Sequence, residues 1–232
     1  MLEAMGLGLW APPAARADEA PERRAPASLG REPPQAGSGA ARASVAPVAG
    51  TRCAACPRRM APLVPRGAAQ PAWLVVGGAP EGDDVADGRP FAGAAGELLQ
   101  HMLRAVGISL DDASGRPGAR VALAVRCAPV DGRVPDAAQL AACAAALHDD
   151  LAATRPRVVL ALGRTAAQAL LGSGDAVGRW RGSVHRAGDA AVVVTHELRY
   201  LLRHPEAKAE AWDDLCLARA AFDGAGPAPS GA

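Results

Sequence analysis

Three features of this 232-residue chain predict an α/β fold of three layers, a mostly parallel sheet covered on both faces. Short, wholly apolar runs end abruptly at glycine or at a polar loop, as strands buried on both faces do. Segments with apolar residues at helical spacing alternate with those runs. Hydrophobic residues make up 50% of the chain, ample for a core at this length.

The elements follow in order. Residues 1–10 form a short apolar segment ending at Trp10, and residues 11–50 are dense in Pro, Ala, Gly, Ser and Arg with no helical or strand period. The first reads as a docking segment and the second as a disordered linker, together an N-terminal arm. Regular punctuation starts near Cys53, and a domain is expected over 51–223 with a flexible tail at 224–232. Trp73-Leu74-Val75-Val76 is a strand stopped by Gly77-Gly78, and Leu98, Leu99, Met102, Leu103 and Val106 mark a helix ended by Gly107. A second strand is expected at Val121–Val125, and an alanine-rich helix from Asp136 to Ala153 just after Pro135. Arg157–Leu162 is the clearest strand; Thr165–Leu171 is a short helix closed by Gly172. Ala191–Val194 is a further strand, and Glu206–Phe222 a last amphipathic helix anchored by Trp212 and Leu215. In a parallel sheet of this kind ligands bind beyond the carboxyl ends of the strands, here the loops after Val76, Val125, Leu162 and Val194.

Composition narrows the function. With 25 basic and 24 acidic side chains the net charge is +1, so any nucleic-acid contact must be a local patch; Arg52, Arg58, Arg59 and Arg66 form one candidate. No run of about 18 apolar residues is present to span a bilayer. The first residues carry Glu3 and lack the basic start of a signal peptide, so a cytoplasmic protein is expected.

The loop Gly77–Gly96 combines glycines and a proline, which let backbone approach a ligand closely, with Phe91 as a stacking face. Cys53-x-x-Cys56, Cys127 and Cys143 are four thiols from separate regions; they suit zinc, an iron–sulfur cluster, or free buried cysteines. Cys216, inside the last helix, reads as a small core residue.

These stretches resemble the family 4 uracil-DNA glycosylases from about Cys53 to Leu215. Gly77-x-Ala79-Pro80 followed by Gly88-Arg89-Pro90-Phe91-Ala92-Gly93-x-Ala95-Gly96 is similar to their first motif, and Arg126-Cys127-Ala128-Pro129 to their Lys-Cys-Arg-Pro segment. Arg155–Ala167 resembles their third strand, Arg181-Gly182 its following loop, and Thr195 with Tyr200-Leu201-Leu202-Arg203 their last motif. The resemblance implies a uracil-DNA glycosylase-like three-layer fold. It implies a 4Fe–4S cluster on Cys53, Cys56, Cys127 and Cys143, zinc being the second choice, and a base site formed by Gly77, Ala79, Pro80 and Phe91.

It also exposes departures. Such enzymes read the Watson–Crick edge of a flipped base and stabilise the departing anion. Gly78 stands where the family has glutamate, and Glu81 where it has glycine. Leu123 replaces the base-reading asparagine; leaving that edge unpaired costs about 1–3 kcal/mol per group. Glu197 replaces the leaving-group histidine, and an ionised carboxylate there repels an anion. An active enzyme on this frame has His196, one residue along, and Asp83 or Asp84 as its candidates.

The ends of the chain resemble the psi subunit of bacterial DNA polymerase III, whose N-terminal peptide docks on the clamp loader while its reduced glycosylase-like domain binds the chi subunit. Leu2, Met5 and Leu9 fall at i, i+3 and i+7 with Trp10 beside them, one apolar stripe on an induced helix. The stretch Leu198–Cys216 is similar to psi as well. The expectation is therefore a catalytically degenerate, psi-like accessory subunit of the clamp loader, with an active divergent uracil-DNA glycosylase as the alternative.

Overall fold

A computed structural model of the protein describes residues 62–110, 115–128 and 133–224. The docking segment (residues 1–10), the linker (11–50), Arg52, Cys53, Cys56, Arg58, Arg59 and the tail beyond Gly224 lie outside the described residues.

Four parallel strands form the centre of a six-stranded sheet: β2 (Trp73–Gly77), β3 (Ala119–Leu123), β4 (Val158–Leu162) and β6 (Ala190–Thr195). They lie in the order β3-β2-β4-β6, flanked by two antiparallel edges, β1 (Arg66–Gly67) on β3 and β5 (Val184–Ala187) on β6. Register aligns Val121, Val75, Leu160 and Val193 across the sheet.

The period-2 alternation of these strands separates two apolar layers. Trp73, Val75, Val121, Leu160 and Val193 face one side, against Leu99 and Leu103 of α2 (Gly93–Ala105) and Leu215, Ala218 and Phe222 of α7 (Lys208–Gly224). Leu74, Val76, Ala122, Val159 and Val192 face the other, against Leu140, Cys143 and Leu147 of α3 (Ala137–Thr154) and Ala166 and Ala167 of α4 (Gly163–Leu171). The expected three layers are thus present.

Local chemistry sets the helix ends. Asp136 caps α3: its carboxylate accepts the Gln139 N–H at 2.8 Å while Gln139 Oε1 accepts the Asp136 N–H at 3.0 Å. α4 stops at Gly172, whose φ of 75° suits a residue without Cβ. Three short helices complete the fold, α1 (Gly82–Asp87), α5 (Val177–Trp180) and α6 (Leu198–Arg203), with a 3₁₀ turn at Pro205–Ala207 before α7.

Two core expectations fail. Leu215 is buried, but Trp212 is 46% exposed and Cys216 is exposed. Asp214, Leu215 and Ala218 take the inward face of α7, and the roughly 100° turn per residue carries Trp212 and Cys216 to its flanks. No helix of the described residues is long and apolar enough to cross a membrane.

Candidate functional site

The strand ends converge on a small open cleft. Gly77, Leu123 and Leu162, closing β2, β3 and β4, line its inner part, with Gly78 and Ala79 of the loop after β2. Phe91, Ala92 and Ala95 form one wall, and Glu197, Leu198 and Arg199 at the start of α6 form the other. Pro80 is buried and does not face the opening.

Phe91 is held in a conformation it would not choose. Its φ is 54°, in the left-handed region, a cost of about 1–3 kcal/mol for a bulky residue. Neighbours over-determine it. The Arg66 guanidinium donates to the Pro90 carbonyl at 2.9 Å and to the Phe91 carbonyl at 3.1 Å. Buried Asp84 accepts the Ala92 N–H at 2.8 Å and the Glu81 N–H at 3.1 Å. Gly96 leaves room for the Phe91 carbonyl, which a Cβ at 96 would meet at 2.1 Å. Gly77 leaves room for the ring itself: a Cβ there would lie 2.6 Å from Phe91 Cζ and 2.9 Å from Leu123 Cδ2. The aromatic face is therefore fixed beside Leu123.

Arg66 and Asp84 thus brace the site. Arg66, grouped by sequence with a phosphate-binding edge, spends its guanidinium on two carbonyls, and Asp84 uses both oxygens on backbone donors. Burial pushes the Asp84 carboxyl above its ordinary range, opposed mainly by the Ala92 N–H, while Asp83 adds to the rise.

Arg199 reaches across the mouth of the cleft to pair with Glu81, and its second nitrogen lies 3.6 Å from Asp83. Asp83 sits outside the cleft lining, against Gly93 and Arg199. Glu197 is exposed as a residue and contributes to the cleft lining; loss of hydration raises its pKa, and the charge of Arg203 opposes the rise.

His196 turns elsewhere. Its Nε2 lies 2.7 Å from Glu210, which also pairs with Arg181, and Arg181 Nε is 2.7 Å from buried Asp214. Its ring stacks on Tyr200 at 5.0 Å, and Tyr200 on His204 at 4.4 Å. It is Glu197, not His196, that lines the cleft. Glu81 and Arg199 were legible only as a pair: the carboxylate in a glycine position has its cation on the opposite loop.

The cysteines lie at a second locus. Cys127 follows β3, partly exposed, and Cys143 is buried on α3. Arg126 ties these segments together, donating to Asp150 at 2.6 Å and to the Ala146 carbonyl at 3.1 Å, both on α3. The Leu63 N–H donates to the Arg126 carbonyl at 2.8 Å. Leu63, seven residues after Cys56 in the sequence, is thereby held to the residue before Cys127. Among the described residues no three potential ligands converge, two of the four cysteines lying outside them.

The cleft and its strained aromatic thus lie at the carboxyl edge of parallel strands in the order β3-β2-β4-β6. The family model of the uracil DNA glycosylase superfamily matches residues 64–216, and the chain belongs to that superfamily. Within it the chain is similar to the type-4 uracil-DNA glycosylase of Pyrobaculum aerophilum, 30% identical over 152 residues covering 62% of this chain and 74% of that protein. The type-4 uracil-DNA glycosylase of Thermotoga maritima is 32% identical over 158 residues, 66% of this chain and 79% of the relative. That of Archaeoglobus fulgidus is 37% identical over 95 residues, 41% and 45% of the two chains.

Proposed function

We propose that this protein is a divergent uracil-DNA glycosylase of base-excision repair, acting in the cytoplasm, that takes an extruded uracil into the cleft and hydrolyses its N-glycosidic bond. The observation that carries the reading is Phe91. A residue kept in a costly backbone conformation by two side-chain braces and a glycine marks a functional position. Its ring forms a wall against which an extruded base stacks, a contact worth about 1–3 kcal/mol. The similarity to type-4 uracil-DNA glycosylases supports the same reading and favours excision over the accessory role.

Cys53, Cys56, Cys127 and Cys143 would hold a 4Fe–4S cluster, zinc being the second choice. A cluster there supplies a cross-link between the segment entering the domain, the β3 loop and α3. Base chemistry stays in the cleft, with DNA phosphates met by arginines at its mouth.

The test is single-turnover excision from a uracil-containing oligonucleotide by the wild type and Phe91→Ala. Excision that falls about 10–100-fold in the variant supports the reading, in proportion to a lost stacking contact. Equal rates would remove Phe91 from the site.

A second reading is the psi-like clamp-loader subunit, with docking through Leu2, Met5, Leu9 and Trp10 and the chi subunit as a further partner. One observation favours it: Leu123, beside the Phe91 ring, has no group for a pyrimidine edge. Clamp-loader binding that survives deletion of residues 1–10 would refute it.

A further inference from the structure

Charge joins the two walls of the cleft across its mouth. One wall is a braced unit. Asp84 accepts the Glu81 N–H at 3.1 Å and the Ala92 N–H at 2.8 Å, which ties the turn bearing Glu81 to the segment bearing Phe91. The other wall is the first turn of α6, which carries Arg199. Arg199 pairs with Glu81, and its second nitrogen lies 3.6 Å from an Asp83 oxygen. The fold makes room for that oxygen: at Gly93, where φ is 58°, a Cβ would meet Asp83 Oδ2 at 2.8 Å. One cation of α6 thus faces two carboxylates of the opposite wall.

The side chains of Arg199, Glu81 and Asp83 are 41%, 31% and 62% exposed, so water screens these pairs and each adds little to the stability of the fold. For the same reason a competing anion can displace them. Glu81 and Arg199 both line the cleft, in the path of whatever enters. A base that enters brings a sugar and phosphates with it, and these stay at the mouth because only a few bonds separate them from the base. Phosphate and carboxylate oxygens engage a guanidinium in the same forked geometry.

We propose that Glu81 and Asp83 stand in for a nucleic-acid phosphate at Arg199, latching the mouth of the free protein until the strand that delivers a base takes the guanidinium from them. The latch deepens the glycosylase reading and rests on it. It gives a role to Glu81, the carboxylate that stands at a glycine position of the first motif. The step is an exchange of ion pairs with no covalent change. The guanidinium passes to a phosphodiester beside the extruded nucleotide, and the two carboxylates return to solvent and take up cations. A strand lying elsewhere on the protein leaves the latch closed, so Arg199 contributes only to strands seated at the mouth.

The experiment is a double-mutant cycle in fluorescence anisotropy. The probe is a labelled single-stranded oligonucleotide carrying one hydrolysis-resistant 2′-fluoro-deoxyuridine, bound over a range of salt. Wild type, Glu81→Gln with Asp83→Asn, Arg199→Gln and the triple variant are compared; the amides keep the shape of the acids and remove their charge. Removing both carboxylates should tighten binding about fourfold when Arg199 is present, and less than about 1.5-fold when it is absent. The slope of log affinity against log salt should steepen by about 0.7 in the first case, one phosphate contact on a single strand, and stay unchanged in the second. Equal tightening in both backgrounds would mean general charge repulsion and overturn the latch. An unchanged slope with Arg199 present, or a protein that binds no oligonucleotide, overturns it as well. Release of uracil from an unmodified strand by the same proteins separates the latch from the reading beneath it. The coupling without release keeps the latch and removes the glycosylase; release without the coupling keeps the glycosylase and removes the latch.

Discussion

Removing the Asp84 carboxylate should loosen the cleft from within. Its two oxygens accept the N–H groups of Ala92, in a buried bond of 2.8 Å, and of Glu81, in a partly buried bond of 3.1 Å. Alanine leaves both donors without a partner, and a buried donor left unpaired costs about 1–3 kcal/mol. The Ala92 N–H bears that cost fully, whereas water can reach the Glu81 N–H. Burial makes the ionised carboxylate itself costly, which offsets part of the loss. A net destabilisation of about 2 kcal/mol is expected for Asp84→Ala. Asp84→Asn keeps one acceptor but turns an NH₂ toward the other donor, so about 1 kcal/mol is expected. Urea denaturation followed by tryptophan fluorescence gives both values. Because Ala92 follows Phe91, the alanine variant should also lose base capture by the folded protein. Stability within about 0.5 kcal/mol of wild type together with undiminished excision would refute the bracing argument.

Gly96→Ala places a methyl 2.1 Å from the Phe91 carbonyl, and should destabilise by about 2 kcal/mol or more, read from the same denaturation curves. Asp214→Ala removes the buried carboxylate from the Arg181 guanidinium, whose side chain is 16% exposed, but leaves its pair with Glu210, and should cost about 2 kcal/mol, seen as a lower urea midpoint. Glu81→Gln frees Arg199 from its partner across the cleft mouth, so affinity for single-stranded DNA at low salt should rise about two- to threefold in fluorescence anisotropy. The folded-state pKa of Glu197 is raised, so its contribution to stability is present below the unfolded pKa and is lost as pH rises through the folded one. Glu197→Gln should therefore melt higher than wild type at neutral pH, with the gap closing in acid.

The centre of the sheet was readable because its strands are covered on both faces. Trp73–Gly77, Val158–Leu162 and Ala190–Thr195 are buried at every position, so each stands out as a continuous apolar run. The edges carry no such mark. Val184–Ala187 alternates exposed and half-buried residues and contains His185 and Arg186, and β1 has two residues. α1 lay hidden in an acidic, glycine-rich stretch that reads as a turn; the αL stop at Gly88 and the Asp84–Glu81 bond define it only in three dimensions.

At the site, Phe91 and the Gly77–Ala79 turn were visible as motif residues, but what Asp84 and Arg66 do was not. Asp84 and Arg66 act on main-chain groups that sequence does not display. The choice between His196 and Glu197 depends on which way successive side chains leave the strand: Glu197 faces the cleft, and His196 faces Glu210.

The central claim is that a base captured against Phe91 is cut from DNA. Its most direct measurement is release of free uracil from a single-stranded, uracil-containing oligonucleotide, with the full chain in excess and purified without oxygen. The account predicts stoichiometric free base and an equal yield of abasic sites. Folded protein that binds the oligonucleotide and releases no base at any pH would contradict it.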